Sequence, residues 1–277
     1  VVTVDGGLAA TFTVAVRDVQ GDPAGLGVLI GPSEILTCAH VVNTATSRPF
    51  DSWAPPPTAV RVNWPLLGDD VVIEALVRNW LPLDEGDLAV LVLQRAAPAS
   101  ASVAHFGDVS DVERSARLPV FGYPQGRPLG QRTEVRVVGA VGNGLLQLNT
   151  VDGALPSVRA GYSGSPVYDP ATGAVAALVA QAPEGGSSRD CLAIPALHLQ
   201  RFVSGRDLGL GKGKESGRGR DEGRFGLELR RRDPFVERVV EVARLRYDPI
   251  NLVVRSGTVP GESQLAIMWR GSFGQIE

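Results

Sequence analysis

Cysteine and lysine are both scarce in this 277-residue chain. Only Cys38 and Cys191 are present, too few for the disulfide framework of a small secreted domain, so both are expected as buried, reduced thiols. No apolar run approaches the ~18 residues that a bilayer-spanning helix requires, so no membrane is expected as a partner. The opening Val1-Val2-Thr3-Val4-Asp5 lacks a basic, then apolar, signal segment. A cytoplasmic location is the expectation, with secretion or a periplasmic location left open. No His/Cys/Asp cluster stands at metal-ligand spacing. Both lysines, Lys212 and Lys214, fall in one late segment. There, Gly211-Lys212-Gly213 has neither the spaced first glycine nor the Ser/Thr after lysine of a phosphate loop. The chain is therefore expected to use neither a metal nor an organic cofactor.

Against these absences stands Arg159-Ala160-Gly161-Tyr162-Ser163-Gly164-Ser165-Pro166-Val167, a serine between glycines. A serine hydroxyl is a weak nucleophile at neutral pH, and catalysis through it requires a neighbouring base and an open backbone whose N–H groups hold the oxyanion. Gly161 carries no side chain to block a substrate carbonyl, and its N–H with that of Ser163 forms a candidate two-donor oxyanion hole. Upstream, His40 ends the apolar run Ile35-Leu36-Thr37-Cys38-Ala39, and Asp87 opens the run Leu88-Ala89-Val90-Leu91-Val92-Leu93. The chain order is His, Asp, Ser, which is that of the chymotrypsin-like double barrel. The Gly-x-Ser-x-Gly elbow of α/β-hydrolases does not fit, because Ser165 replaces its last glycine and its histidine would follow the serine. Asp84 and Glu85 are acidic alternatives to Asp87 and are read as loop residues. His105 and His198 have no comparable setting and are read as surface or helix residues. Cys38, the second residue before His40, is expected to point away into the barrel.

Thr37-Cys38-Ala39-His40, Gly86-Asp87-Leu88-Ala89-Val90-Leu91 and Gly161-Tyr162-Ser163-Gly164-Ser165-Pro166 together resemble the signature segments of trypsin-like serine peptidases, especially the bacterial HtrA-like branch. Gly25-Leu26-Gly27-Val28-Leu29-Ile30-Gly31 resembles the strand before the histidine in that family, and Leu192-Ala193-Ile194-Pro195 its last barrel strand. The resemblance implies an all-β fold: two six-stranded antiparallel β-barrels, about 10 to 100 and 115 to 195, and a C-terminal helix, within a protease domain spanning residues 1–203. It implies a serine endopeptidase acting on a protein or peptide substrate, with His40, Asp87 and Ser163 as triad. It places the base of the specificity pocket at Ser157 and one wall at Val179, Ala180 and Gln181. Ser157 is uncharged, so a small or medium apolar residue before the scissile bond is expected rather than Arg or Lys. Digestive members of the family carry an aspartate where Tyr162 stands, which puts activation by N-terminal cleavage in doubt and favours control by a partner. The alternative is a protease fold used as a latent or inactive binding scaffold.

Within the chain, residues 11 to 17, 25 to 30, 59 to 64, 71 to 78 and 87 to 93 have strand-like patterns, as do 133 to 141, 144 to 149 and 175 to 181. The proline-rich stretch 47 to 58 is read as a surface loop that either borders the substrate cleft or has no such role. Residues 204–232 hold nine Lys/Arg, five Asp/Glu and eight Gly, and read as a solvated tether with no nucleic acid expected. Residues 233–277 read as a small α/β appendage: a helix over Phe235 to Arg244, capped by Asp233-Pro234, and strands over Leu252 to Val254 and Leu265 to Trp269. It is a candidate adaptor for a regulatory protein partner.

Overall fold

The computed structural model describes residues 7–142, 144–151, 156–181 and 189–205, and the backbone of 253–259, 262–269 and 272–276. The chain divides into two compact units, Val1–Glu215 and Ser216–Glu277.

The first unit begins with a short helix, α1 (Gly7–Phe12), so the first strand starts at Thr13 rather than at residue 11. Strands β1 (Thr13–Arg17), β2 (Pro23–Gly31), β3 (Glu34–Thr37), β4 (Val60–Trp64), β5 (Asp69–Leu81) and β6 (Leu88–Leu93) close a barrel in the order β1-β2-β3-β6-β5-β4. All neighbours in it are antiparallel. The near-continuous apolar run Leu88-Ala89-Val90-Leu91 is fully buried, as expected for a strand covered on both faces. Between β3 and β4 lies α2 (Ala39–Ala45), which carries the histidine.

The second barrel holds β7 (Leu118–Gly122), β8 (Gln131–Ala140), β9 (Leu146–Thr150), β10 (Pro166–Asp169), β11 (Ala174–Gln181) and β12 (Asp190–Pro195), ordered β10-β11-β12-β9-β8-β7. Its two end strands meet just before β10, where Ser165 Oγ donates to Phe121 O at 2.6 Å and Tyr123 N–H donates to Gly161 O at 2.8 Å. The second barrel is thus nearly closed by the loop that carries Ser163. β10 has only four residues and too little sequence to show a period.

Two apolar clusters support the pair. One lies inside the second barrel around Leu118, Val135, Leu148 and Tyr162. The other runs from the first barrel interior through Tyr168, Val175, Leu178 and Ile194 to Leu199 and Phe202 of α3 (Ala196–Val203). The helix therefore turns one stripe, Ala196, Leu199 and Phe202, inward at helical spacing. A shared core makes the inter-barrel junction a packed seam.

In the second unit, β13 (Val253–Val259), β14 (Glu262–Trp269) and β15 (Ser272–Ile276) form an antiparallel meander. This corrects the expectation of two strands. In the sequence, Gly261 and Gly271 interrupt strand-like runs, a general turn signal compatible with a third strand. The helix expected over Phe235 to Arg244 and the tether over 206–232 lie outside the described residues.

Candidate active site

His40 is the second residue of α2, at the point where the extended chain of β3 turns into a helix. Asp87 sits immediately before β6, the strand that pairs with β3. One carboxylate serves the histidine twice: Asp87 Oδ2 lies 2.6 Å from His40 Nδ1, and Asp87 Oδ1 accepts the backbone N–H of His40 at 3.0 Å. Both residues are nearly excluded from solvent, at 4% and 6% exposure. Asp87 has φ 55°, in the left-handed region, where Asp and Asn are the residues most readily accommodated after glycine. Its N–H donates to Pro82 O at 2.9 Å, which closes the turn over Asp84 and Glu85. Those two acids are exposed loop residues.

Ser163 stands in the loop between β9 and β10, held on both sides. Its carbonyl accepts the N–H of Leu26 of the first barrel at 2.9 Å. Gly164 N–H donates to Val179 O at 2.7 Å, and Val179 N–H donates to Ser165 O at 2.9 Å, within the second barrel. A Cβ placed on Gly25 would meet the Val41 side chain at 2.7 Å and Ser163 O at 2.9 Å, so the Ser163 backbone lies one residue's width from the helix of His40. No hydrogen bond joins His40 to Ser163 Oγ, a bond that in unliganded sites often tightens only when substrate binds. Gly161 has φ 100°, and among the described residues neither its N–H nor that of Ser163 has a hydrogen-bond partner, which leaves both as available donors.

Gly164 is the tightest point. It has φ 78°, and a Cβ there would fall 1.9 Å from Leu26 O, a backbone atom already engaged by the Thr37 hydroxyl at 2.5 Å. Gly164→Ala is expected to cost about 3 to 5 kcal/mol through backbone strain and overlap. Urea unfolding of parent and variant checks this, and an unchanged midpoint would contradict it.

Cys38 is buried in the apolar cluster of the first barrel, as expected, and its thiol also faces the seam. It is extended (φ −79°, ψ 145°) but stands at the helix start, so strand alternation no longer fixes its direction. Its thiol lies within 4.8 Å of the His40 and Asp87 donor atoms and contacts Val179 O across the seam at 3.7 Å. Among the described residues these three side chains are the group that could hold a metal, but the His40 ring and Asp87 carboxylate are already hydrogen-bonded to each other. Burial, and then the Asp87 charge, push the Cys38 thiol well above its ordinary range, and burial pushes Cys191 up to about 12. Both cysteines are free, buried and protonated at neutral pH.

Of the residues assigned to the specificity pocket, Val179 and Ala180 are buried in β11, Gln181 is exposed at its end, and Ser157 is half-buried. Val179 is the one joined by hydrogen bonds to the nucleophile loop. Two residues escape a reading of motifs. Tyr162 is fully buried in the second barrel, its ring filling the space above Gly122. Phe50, in the proline-rich loop, places its ring centroid 4.6 Å from that of His40, and Asn43 Nδ2 holds this loop through Phe50 O and Ser52 O at 3.2 and 3.0 Å. That loop therefore reaches the catalytic histidine candidate. An exposed aromatic among prolines was the available signal. His105 is exposed and His198 is half-buried on α3, the surface and helix settings expected of them.

Two antiparallel six-stranded barrels that share one seam, with the histidine and aspartate on the first and the serine loop sealing the second, constitute the chymotrypsin-like class of fold. The trypsin-like peptidase domain matches residues 25–178, more than half of the chain, and the chain belongs to that family. A comparison with curated proteins gives no match. Among solved structures, the inactive form of the Rv3671c protease aligns at 21% identity and TM-score 0.53, covering 75% of this chain and 92% of that one. A serine endoprotease from Yersinia pestis aligns at 19% identity and TM-score 0.53, covering 74% and 67%. A mutant of human heparin binding protein (CAP37) aligns at 16% identity and TM-score 0.55, covering 72% and 92%. These likenesses concern the fold.

Proposed function

We propose that this peptidase-family chain is a serine endopeptidase working through an acyl-enzyme at Ser163. The observation that carries the proposal is the pair of hydrogen bonds that Asp87 accepts from the ring and backbone of His40 at the seam where Ser163 is held. His40 Nε2 takes the proton from Ser163 Oγ as the oxygen attacks the peptide carbonyl, then delivers it to the leaving amine. Asp87 keeps the ring in the tautomer with Nδ1 protonated and stabilises the imidazolium. The N–H groups of Gly161 and Ser163 receive the oxyanion. Water then hydrolyses the ester by the same proton path in reverse. Phe50 and the Val179-Ala180-Gln181 segment flank an extended peptide, and Ser157 sets a pocket for a small or medium apolar residue. The appendage over 233–277 is a candidate docking element for a regulatory protein.

Fluorophosphonate labelling of the full chain tests this reading. A single covalent adduct on the peptide containing Ser163 is expected. Absence of that adduct in parent protein would overturn an open active centre and favour the latent scaffold. Strict cleavage after Arg in a peptide library would sink the assignment of the Ser157 pocket.

A further inference from the structure

The first barrel carries an arginine pair for which peptide hydrolysis has no use. Arg17 on β1 and Arg61 on β4 stand directly opposite each other in the antiparallel register, so both side chains leave the same face within reach of one another. Like charges so placed destabilise the strand pair, and both residues are half-buried, where screening by water is reduced.

Their hydrogen bonds go to uncharged acceptors. Arg17 Nε donates to Asn63 Oδ1 at 2.9 Å and Nη1 to Gly21 O at 3.1 Å, and Arg61 Nη2 donates to Asp18 O at 2.5 Å. Most N–H donors of the two guanidinium groups are left over. Among the described residues, no carboxylate lies within ion-pair distance of either guanidinium. Asp18 Oδ1 accepts the N–H groups of Gln20, Gly21 and Asp22, and Glu74, opposite Arg61 on β5, makes no ion pair with it. Arg17, Arg61, Asn63, Gly21 and Val72 line a cavity of about 250 Å³. One face of the Arg17 guanidinium lies over the Tyr123 ring at 5.8 Å, which leaves its edge, with the donors, for a ligand.

We propose that this cavity is an oxyanion-binding site, taking a carboxylate or a phosphate between the two guanidinium forks. Asn63 and Gly21 fix the plane of Arg17, Asp18 O fixes Arg61, and a planar or tetrahedral oxyanion accepts bidentate bonds from both. The bound charge offsets the repulsion built into the register. The cavity is lined by none of His40, Asp87 and Ser163, and Tyr123, whose ring Arg17 covers, donates its backbone N–H to Gly161 O.

The test uses the full chain and two probes, inorganic phosphate and an N-acetyl, C-amide glutamate dipeptide, each against sodium chloride at matched ionic strength. A saturable rise in thermal midpoint and saturable shifts of the Arg17 and Arg61 Nε–Hε signals are expected with at least one probe. Saturation by phosphate alone identifies a free-phosphate site, and saturation by the dipeptide alone an acidic peptide segment. Arg61→Gln is expected to weaken binding at least tenfold, with a midpoint in oxyanion-free buffer equal to or above that of the parent because the like-charge repulsion is removed. Arg17→Gln should weaken binding in the same way and serves as the second variant. No saturable response to either probe, or the same response in both variants, would overturn the site. The readout is binding, so it stands apart from whether peptides are cleaved.

Discussion

His40→Ala is expected to lower turnover of a cleaved peptide by about 10⁶-fold, with Ser163→Ala equally damaging and the double variant no worse. The equality follows from the two side chains acting as one unit: a hydroxyl without its base is as inert as a base without its hydroxyl. The comparison is clean because the fold should survive. The backbone N–H at position 40 still donates to Asp87 Oδ1 after the ring is removed. The check is kcat for each variant beside its thermal midpoint. A loss under about a hundredfold in a folded His40 variant would be too small for a general base and would remove it from that role.

Asp87→Asn is expected to lower kcat by about 10⁴, the effect that an asparagine has in place of the triad aspartate in this class of enzyme. The geometry supplies the reason. Both groups that face the carboxylate are donors, the ring Nδ1–H and the backbone N–H of His40. An asparagine offers one acceptor and must turn its amide N–H₂ toward the other position. The backbone N–H cannot reverse, so the amide oxygen stays there and the N–H₂ faces Nδ1. That forces the ring proton onto Nε2, where it blocks removal of the Ser163 proton. The left-handed backbone at φ 55° suits Asn as well as Asp, so the midpoint should move little. Retention of a tenth or more of parent kcat would refute this account.

The His40, Asp87 and Ser163 segments were legible because each couples a chemical residue to a strand end or a glycine turn, and both depend on local sequence. Strands such as β2, β6 and β11 were legible through their apolar runs. Features that rest on distant neighbours were not. β10 is four residues long and has a strand's environment only because β11 pairs with it. That the Cys38 thiol also faces the seam depends on where α2 begins, and the contact of Phe50 with His40 depends on how Asn43 ties down its loop. Tyr162 reads in sequence as a departure from the aspartate of digestive enzymes. In the fold it is a fully buried ring that pins the serine loop to the second barrel, with burial pushing its hydroxyl up to about 12.

The hydrogen bond from Leu26 N–H to Ser163 O ties the proposed nucleophile to strand β2, whose chain is made long before it. A nascent polypeptide leaves the ribosome with the His40 and Asp87 barrel first and acquires its serine loop only when the second barrel emerges. Neither half holds both the serine and its base, and their alignment waits for the two barrels to dock. An unfinished or half-folded chain is therefore expected to show no peptide hydrolysis, because the proposed serine and its base have not yet been brought together.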